Sequence, residues 1–374
     1  MRNPLSLDPL ADNELTAKDM RLSIDVHGHS TIVCESKPLP VFYTTLDSPR
    51  VIRATVTLET DRECTGSEVE IIYKASATYK APGELSMVVV AIGEQVFEKK
   101  RWLMELNRPS PGKVAAGRYT KEVTATINPL WPSSVRLPPH RRGFGWVKYV
   151  FDVRFFKYKT LSPILITSQE VWVLNSTLPS PSYLQPKLLP LVAQTTWNKS
   201  TLPITLTLPS ETLTLGHAVP VTVQMSPFTN KSKYSGQTID VLRASFILRE
   251  HVHGYSRNSD QHLNYTRDVI SVPIIEGWPH SVGPWQKTVN LTLPTSPELS
   301  PTTTSEFLNL SYSLILAMKL KAGKQRDRKA DEYKLQANVH IVVPRRAEAE
   351  SNGDTLPAYC IADDDEKSRV DLAY

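Results

Sequence analysis

Apolar and polar residues alternate with a period of two along most of this chain. That spacing puts every second side chain of a strand on a buried face. Leu22, Ile24 and Val26 alternate with polar neighbours. Ile52, Ala54, Val56 and Leu58 form a second row, opposed by Arg53, Thr55, Thr57 and Glu59. Further rows run from Val69 to Tyr79, from Val123 to Ile127, and through Val147, Tyr149, Phe151, Val153 and Phe155. Beyond residue 200 the habit resumes with Ile204, Leu206 and Leu208, then Val219 to Met225, then Leu242, Ala244, Phe246 and Leu248. Val289 to Leu293, Leu310 to Leu320 and Leu335 to Val343 complete the series. Each row predicts a half-buried strand. Helical spacing is scarce. Glu94 to Leu106 carries it loosely, with Val96, Phe97, Trp102 and Leu103 near one face, and predicts a turn or two of helix at most.

Residues 175–200 break the alternation and are rich in proline, which marks a linker. The strands then fall into two groups, 20–174 and 201–344, each large enough to bury its own core. Alternating strands bury one face by packing sheet on sheet. The predicted fold class is therefore all-β: two tandem antiparallel β-sandwich domains. Residues 1–19 read as a disordered N-terminus, and 345–374, polar and acidic, as a disordered C-terminal tail. The chain has 29 prolines against 15 glycines, which suits short strands and many turns. An immunoglobulin domain proper is not expected, because its Cys…Trp…Cys pattern is missing.

Cys34, Cys64 and Cys360 lie far apart and include no Cys-x-x-Cys, which predicts a reducing compartment. The opening stretch, MRNPLSLDPLADNELTAKD, places acids and prolines where a signal peptide needs an apolar core. No run of 18 apolar residues occurs. The six Asn-x-Ser/Thr sequences, at Asn175, Asn198, Asn230, Asn264, Asn290 and Asn309, read as by-products of Ser/Thr-rich strands. Net charge is +5, unevenly spread. From Ala347 to Tyr374 there are eight acids and two bases, so the tail is −6 and the body +11. A basic body predicts acidic partners: anionic lipid headgroups, phosphorylated tails or acidic peptides. Nucleic acid is not expected, because the bases are dispersed and no recognition motif is present.

The stretch Lys319 to Lys334 is polar and basic, too short to insert into a bilayer, and fits contact with an anionic membrane by charge alone. Its candidate residues are Lys319, Lys321, Lys324, Arg326, Arg328 and Lys329, the last next to Ala330. Catalytic signatures are missing: there is no Gly-x-Ser-x-Gly, P-loop, dinucleotide turn or His-Glu-x-x-His. His251 and His253 could share one strand face, but a third metal ligand is not evident. No enzyme activity, metal or cofactor is expected.

Several segments stand out together. In the first half these are LSIDVHG, VIRATVTLET, VEIIYKASATYK and WPSSVRLPPHRRGFGWVKYVFDVRFFK. In the second they are TLTLGHAVPVTVQMSP, Val241 to Glu250, KTVNLTLP, Leu310 to Leu320 and YKLQANVHIVVP. Taken together they resemble the arrestin family, in its α-arrestin branch. The resemblance spans about residues 20 to 344 and implies arrestin-like, immunoglobulin-like sandwiches. There are departures. Tyr43 to Pro49 replace a Gly-x-Val, and the histidine common before the Leu310 strand is missing. No equivalent of the buried ion-pair cluster of visual arrestins can be located, so a phosphate-triggered switch is not carried over.

Past this body, Leu356-Pro357-Ala358-Tyr359 fits the Leu/Pro-Pro-x-Tyr pattern that WW domains bind. Pro357 favours a preformed polyproline II turn, and Pro and Tyr dock in an aromatic-lined groove. Leu356, Pro357 and Tyr359 are the expected WW-domain contacts. Ser180-Pro181-Ser182-Tyr183 lacks the first Leu/Pro and is the weaker match. The resemblance implies a cytoplasmic adaptor, peripheral at the plasma membrane or endosomes. It would bind the cytosolic parts of transporters or receptors and recruit a WW-bearing HECT-type ubiquitin ligase for endocytosis and sorting. The alternative is a non-catalytic, retromer-like sorting scaffold without ligase recruitment.

Overall fold

The computed structural model describes residues 14–17, 19–34, 37–45, 49–82, 89–137, 144–159, 162–175, 190–197, 202–226, 239–254, 263–274, 285–306, 308–322 and 331–343. These residues form an all-β chain. Among them no helix is long and apolar enough to cross a membrane. The chain separates into two compact units, divided after Thr177.

The first unit contains β1 (Glu14–Ala17), β2 (Met20–His27), β3 (Ser30–Cys34), β4 (Lys37–Thr44), β5 (Arg50–Thr60), β6 (Cys64–Thr65) and β7 (Val69–Pro82). It continues with β8 (Val89–Met104), β9 (Lys113–Val114), β10 (Gly117–Ile127), β11 (Val135–Arg136), β12 (Phe144–Phe156) and β13 (Pro163–Asn175). A four-stranded sheet runs β1-β2-β5-β10, and a larger one β3-β4-β13-β12-β7-β8 with β11 beside β12. Leu22, Ile52, Val56 and Leu58 from the small sheet and Tyr73, Tyr149, Phe151 and Phe155 from the large one are fully buried. The Tyr73 and Phe151 rings lie 5.0 Å apart. Phe155 presses on Gly66, where a Cβ would overlap the ring, so only glycine admits this approach.

The second unit contains β14 (Leu191–Trp197), β15 (Leu202–Leu208), β16 (Thr212–Thr214), β17 (Ala218–Met225) and β18 (Ile239–Gly254). After these come β19 (Leu263–Pro273), β20 (Trp285–Thr292), β21 (Thr303–Thr304), β22 (Leu308–Ala322) and β23 (Asp331–Val342). Its sheets run β14-β15-β17-β20 and β16-β23-β22-β18-β19, with β21 beside β22. Ile204, Leu206, Leu208 and Val221 of the first sheet, and Phe246, Leu248, Leu314 and Leu316 of the second, are fully buried. Two pairings are parallel, β4 with β13 and β16 with β23. Alternation alone does not distinguish strand direction.

Four local expectations change. The loosely helical stretch from Glu94 lies mostly in β8. Pairing with β7 overrides the helix preference of its Glu, Lys, Leu and Met. A bulge opposite Ala75 and Ser76 leaves Phe97 unpaired and scrambles the period-two pattern. Within the expected linker, Leu191–Trp197 is a strand. Its β15-paired positions Leu191, Ala193 and Thr195 are half-buried while Val192 points out, so no apolar alternation shows. In the expected disordered N-terminus, Glu14–Ala17 pairs with β2, and Asp19, just before β2, has a φ of 71°. Finally, Leu242 is not a core residue. A bulge sets Val241 against Leu320 and Arg243 against Lys319, so Leu242 falls out of register and is 55% exposed.

Two residues of β18 make a direct comparison. Phe246→Ala should cost about 3–5 kcal/mol in denaturant unfolding, whereas Leu242→Ala should change stability by less than about 0.5 kcal/mol. Equal losses would contradict the register.

Candidate functional site

In the first unit, the Trp131-Pro132-Ser133-Ser134 segment is a clamp onto β13. Ser134 N donates to Val173 O at 2.7 Å, and Val173 N donates back to Ser134 Oγ at 2.8 Å. Asn175 N donates to Ser133 Oγ at 2.8 Å. The Asn175 amide donates to Trp131 O at 2.8 Å and to Pro129 O. Below, the buried Tyr149 hydroxyl donates to Pro132 O at 2.6 Å. Short hydroxyl side chains here satisfy backbone groups that the proline-bearing loop leaves outside any sheet ladder. The Asn175 amide is engaged in this clamp, and the residue is only 6% exposed.

The candidate membrane contact is described in part. Lys319 and Lys321 stand on the outward face of β22, while Leu320 between them is buried. Register adds a residue that sequence reading missed: Arg243 of β18 lies directly opposite Lys319. On the other side Glu332 of β23 pairs with Lys319, and Asp240 of β18 pairs with Lys321. The described patch therefore mixes three cations with flanking acids, and the bulged Leu242 is exposed beside it. Lys324, Arg326, Arg328 and Lys329 lie outside the described residues, as do Leu356, Pro357 and Tyr359.

A second feature escaped the sequence reading. Glu250 of β18 is fully buried, on the core face between Leu248 and Val252. Across the sheet it faces Arg267 on β19 and Tyr312 on β22. Arg267 grips it with two bonds, Nε to Oε1 at 2.5 Å and an Nη to Oε2 at 3.1 Å. The Tyr312 hydroxyl lies 3.2 Å from Glu250 Oε2 and 2.7 Å from Ser300 O. Burial would depress the Arg267 guanidinium, but the bond and charge of Glu250 outweigh it and hold the group above the usual arginine value. Burial, then the Glu250 charge, raises Tyr312 well above an ordinary phenol and pushes Tyr265 up to about 12. A signal did exist in the sequence: Glu250 continues the apolar phase of Ala244, Phe246 and Leu248. An acid in an apolar phase must be paired.

The two histidines sit on the outward face of the same strand. His251 Nε2 lies 2.7 Å from Ser313 Oγ, and His253 Nδ1 lies 2.8 Å from Asn264 Oδ1. Burial, with His253 and Arg249 nearby, lowers the His251 pKa. Among the described residues no group of three His, Cys, Asp or Glu could hold a metal ion.

Two units, each built of facing sheets around its own core, define the fold as a tandem β-sandwich. Residues 198–345 match the family model described as arrestin (or S-antigen), C-terminal domain. That match supports the arrestin family and suggests an arrestin-like adaptor role. A search of the curated proteins found no match.

Glu250→Ala leaves the Arg267 guanidinium without its carboxylate, and the Tyr312 hydroxyl with Ser300 O alone. It should destabilise the second unit by about 3–5 kcal/mol. The pair replacement Glu250→Leu with Arg267→Met should recover most of that loss, read by denaturant unfolding. A double variant as unstable as the single one would mean that packing, not the unpaired charge, sets the cost.

Proposed function

We propose that this protein is an adaptor of the α-arrestin branch. It binds the cytosolic parts of membrane transporters or receptors, recruits a WW-domain HECT-type ubiquitin ligase, and so directs ubiquitin-dependent endocytosis and sorting. The observation that carries the reading is the order of parts. A segment matching an arrestin C-terminal domain ends at residue 345, and Leu356-Pro357-Ala358-Tyr359 follows in an acidic stretch. A WW groove takes a proline and a tyrosine two residues apart, and polar flanks keep such a motif solvated. Nothing in the role calls for catalysis: two partners are brought together. Tyr359→Ala in the full chain should abolish capture by WW domains of HECT ligases. Undiminished capture would remove the ligase from the reading and leave a scaffold without it.

Anionic lipid is the second proposed partner. The support is the +11 body and the Lys319, Lys321 and Arg243 juxtaposition on one sheet face. Each basic residue near an acidic leaflet is worth about 1 kcal/mol, so Lys319→Ala and Lys321→Ala should each weaken binding to phosphatidylserine vesicles about fivefold. The loss should shrink as salt is raised. Vesicle co-sedimentation unaffected by either change would exclude this face.

A further inference from the structure

Among the described residues, the outward face of the β14-β15-β17-β20 sheet carries no charged side chain. Gln194, Thr205, Gln224 and Gln286 stand in one row across its four strands. Val192, Thr207, Thr222 and Thr288 form the next. Beyond them Pro220 pairs with Asn290 and Ala218 with Thr292, while Thr196 and Pro203 close the other side. Cross-strand bonds brace the surface. The Thr222 and Thr288 hydroxyls are 2.9 Å apart, and Gln224 Nε2 donates to Gln286 Oε1 at 2.8 Å. All these side chains are exposed or half-buried. Lys287, the one charged residue on β20, pairs with Val223 and so belongs to the opposite side.

The first unit provides an internal comparison. The corresponding β2-β5-β10 face is equally rich in threonine, yet its outward positions include Arg21, Asp25, Arg53, Glu59, Arg118 and Glu122. Strand formation therefore does not require neutrality. A solvated strand face takes charge readily in a chain with 43 Lys and Arg and 38 Asp and Glu.

We propose that this uncharged face is a self-association surface, on which a second copy of the chain packs face to face about a two-fold axis. Dehydrating charge is costly, so a face that becomes covered does best without it. In a two-fold contact the same patch meets itself, so any charge near the axis would meet its own sign. With a net charge of +5, two copies repel one another overall, and a neutral patch adds nothing to that repulsion. Size is adequate. Four strands about 4.8 Å apart and about seven residues long at about 3.3 Å each give a platform of roughly 440 Å² in projection. Covering two such platforms removes on the order of 1,000 Å² of accessible surface, at the lower end for a specific contact. The side chains are polar and the area small, so the dimer is a weak one, forming at micromolar concentrations.

Sedimentation velocity of the full-length protein across the micromolar range tests this. The parent should move from monomer to dimer as concentration rises. Thr222→Lys, which sets lysine against lysine near the axis, should hold it monomeric. Thr57→Lys, on the matching face of the first unit, should leave association unchanged. An equimolar mixture of Thr222→Lys and Thr222→Glu chains should dimerise again, because opposite charges then meet. Thermal melting checks that each variant is folded. If Thr222→Lys is not, Gln286→Lys on the exposed edge strand makes the same reading. A parent that stays monomeric throughout, or a folded lysine variant that dimerises like the parent, would overturn the proposal.

Discussion

Burial of one face of every strand against a facing sheet is the constraint from which the rest of this molecule follows. A lone sheet of Val, Ile, Leu and Thr leaves its apolar side in water; two stacked sheets remove it. Both units answer that demand. Tyr73, Tyr149, Phe151 and Phe155 close one core, and Phe246, Leu248, Leu314 and Leu316 the other. Once the inner positions are committed, loops and outward faces are free to differ. Neutral, mixed and basic surfaces can then stand on similar scaffolds.

The same constraint explains where polar groups are placed with care. Backbone groups displaced from the ladders need partners, and the Ser133, Ser134 and Asn175 clamp supplies them to a loop that carries prolines. Glu250 is the severer case. A carboxylate on a core face survives because Arg267 and Tyr312 occupy the two strands beside it in the same row. Such a pair specifies register: a one-residue slip of β19 against β18 would carry Arg267 to the other face and strand Glu250 in hydrocarbon.

Most of the fold was legible because period two is a local property. Leu22 to Val26, Ile52 to Leu58, Val147 to Phe155 and Ile204 to Leu208 are inward at every second position, as the alternation requires. Where reading failed, the cause was a non-local pairing. Phe97 and Leu242 sit at bulges, which exist only relative to a partner strand. β14 was hidden because its half-buried positions, Leu191, Ala193 and Thr195, mix apolar with polar while the apolar Val192 points out. Of the candidate site, the basic residues could be named, but their neighbour Arg243, 76 residues before Lys319 in sequence, could not.

By itself, then, the sequence determined the all-β class, the two groups of strands and the contrast between a basic body and an acidic tail. Each of these is written in residue spacing or summed charge, which need no partner to be read. The tertiary structure alone decided the strand order, the parallel edges at β4 and β16, the bulges, the Glu250 ion pair and the neutrality of one whole sheet face. Those depend on which distant strands become neighbours, and hydrogen-bonded register sets that only when the sheets assemble.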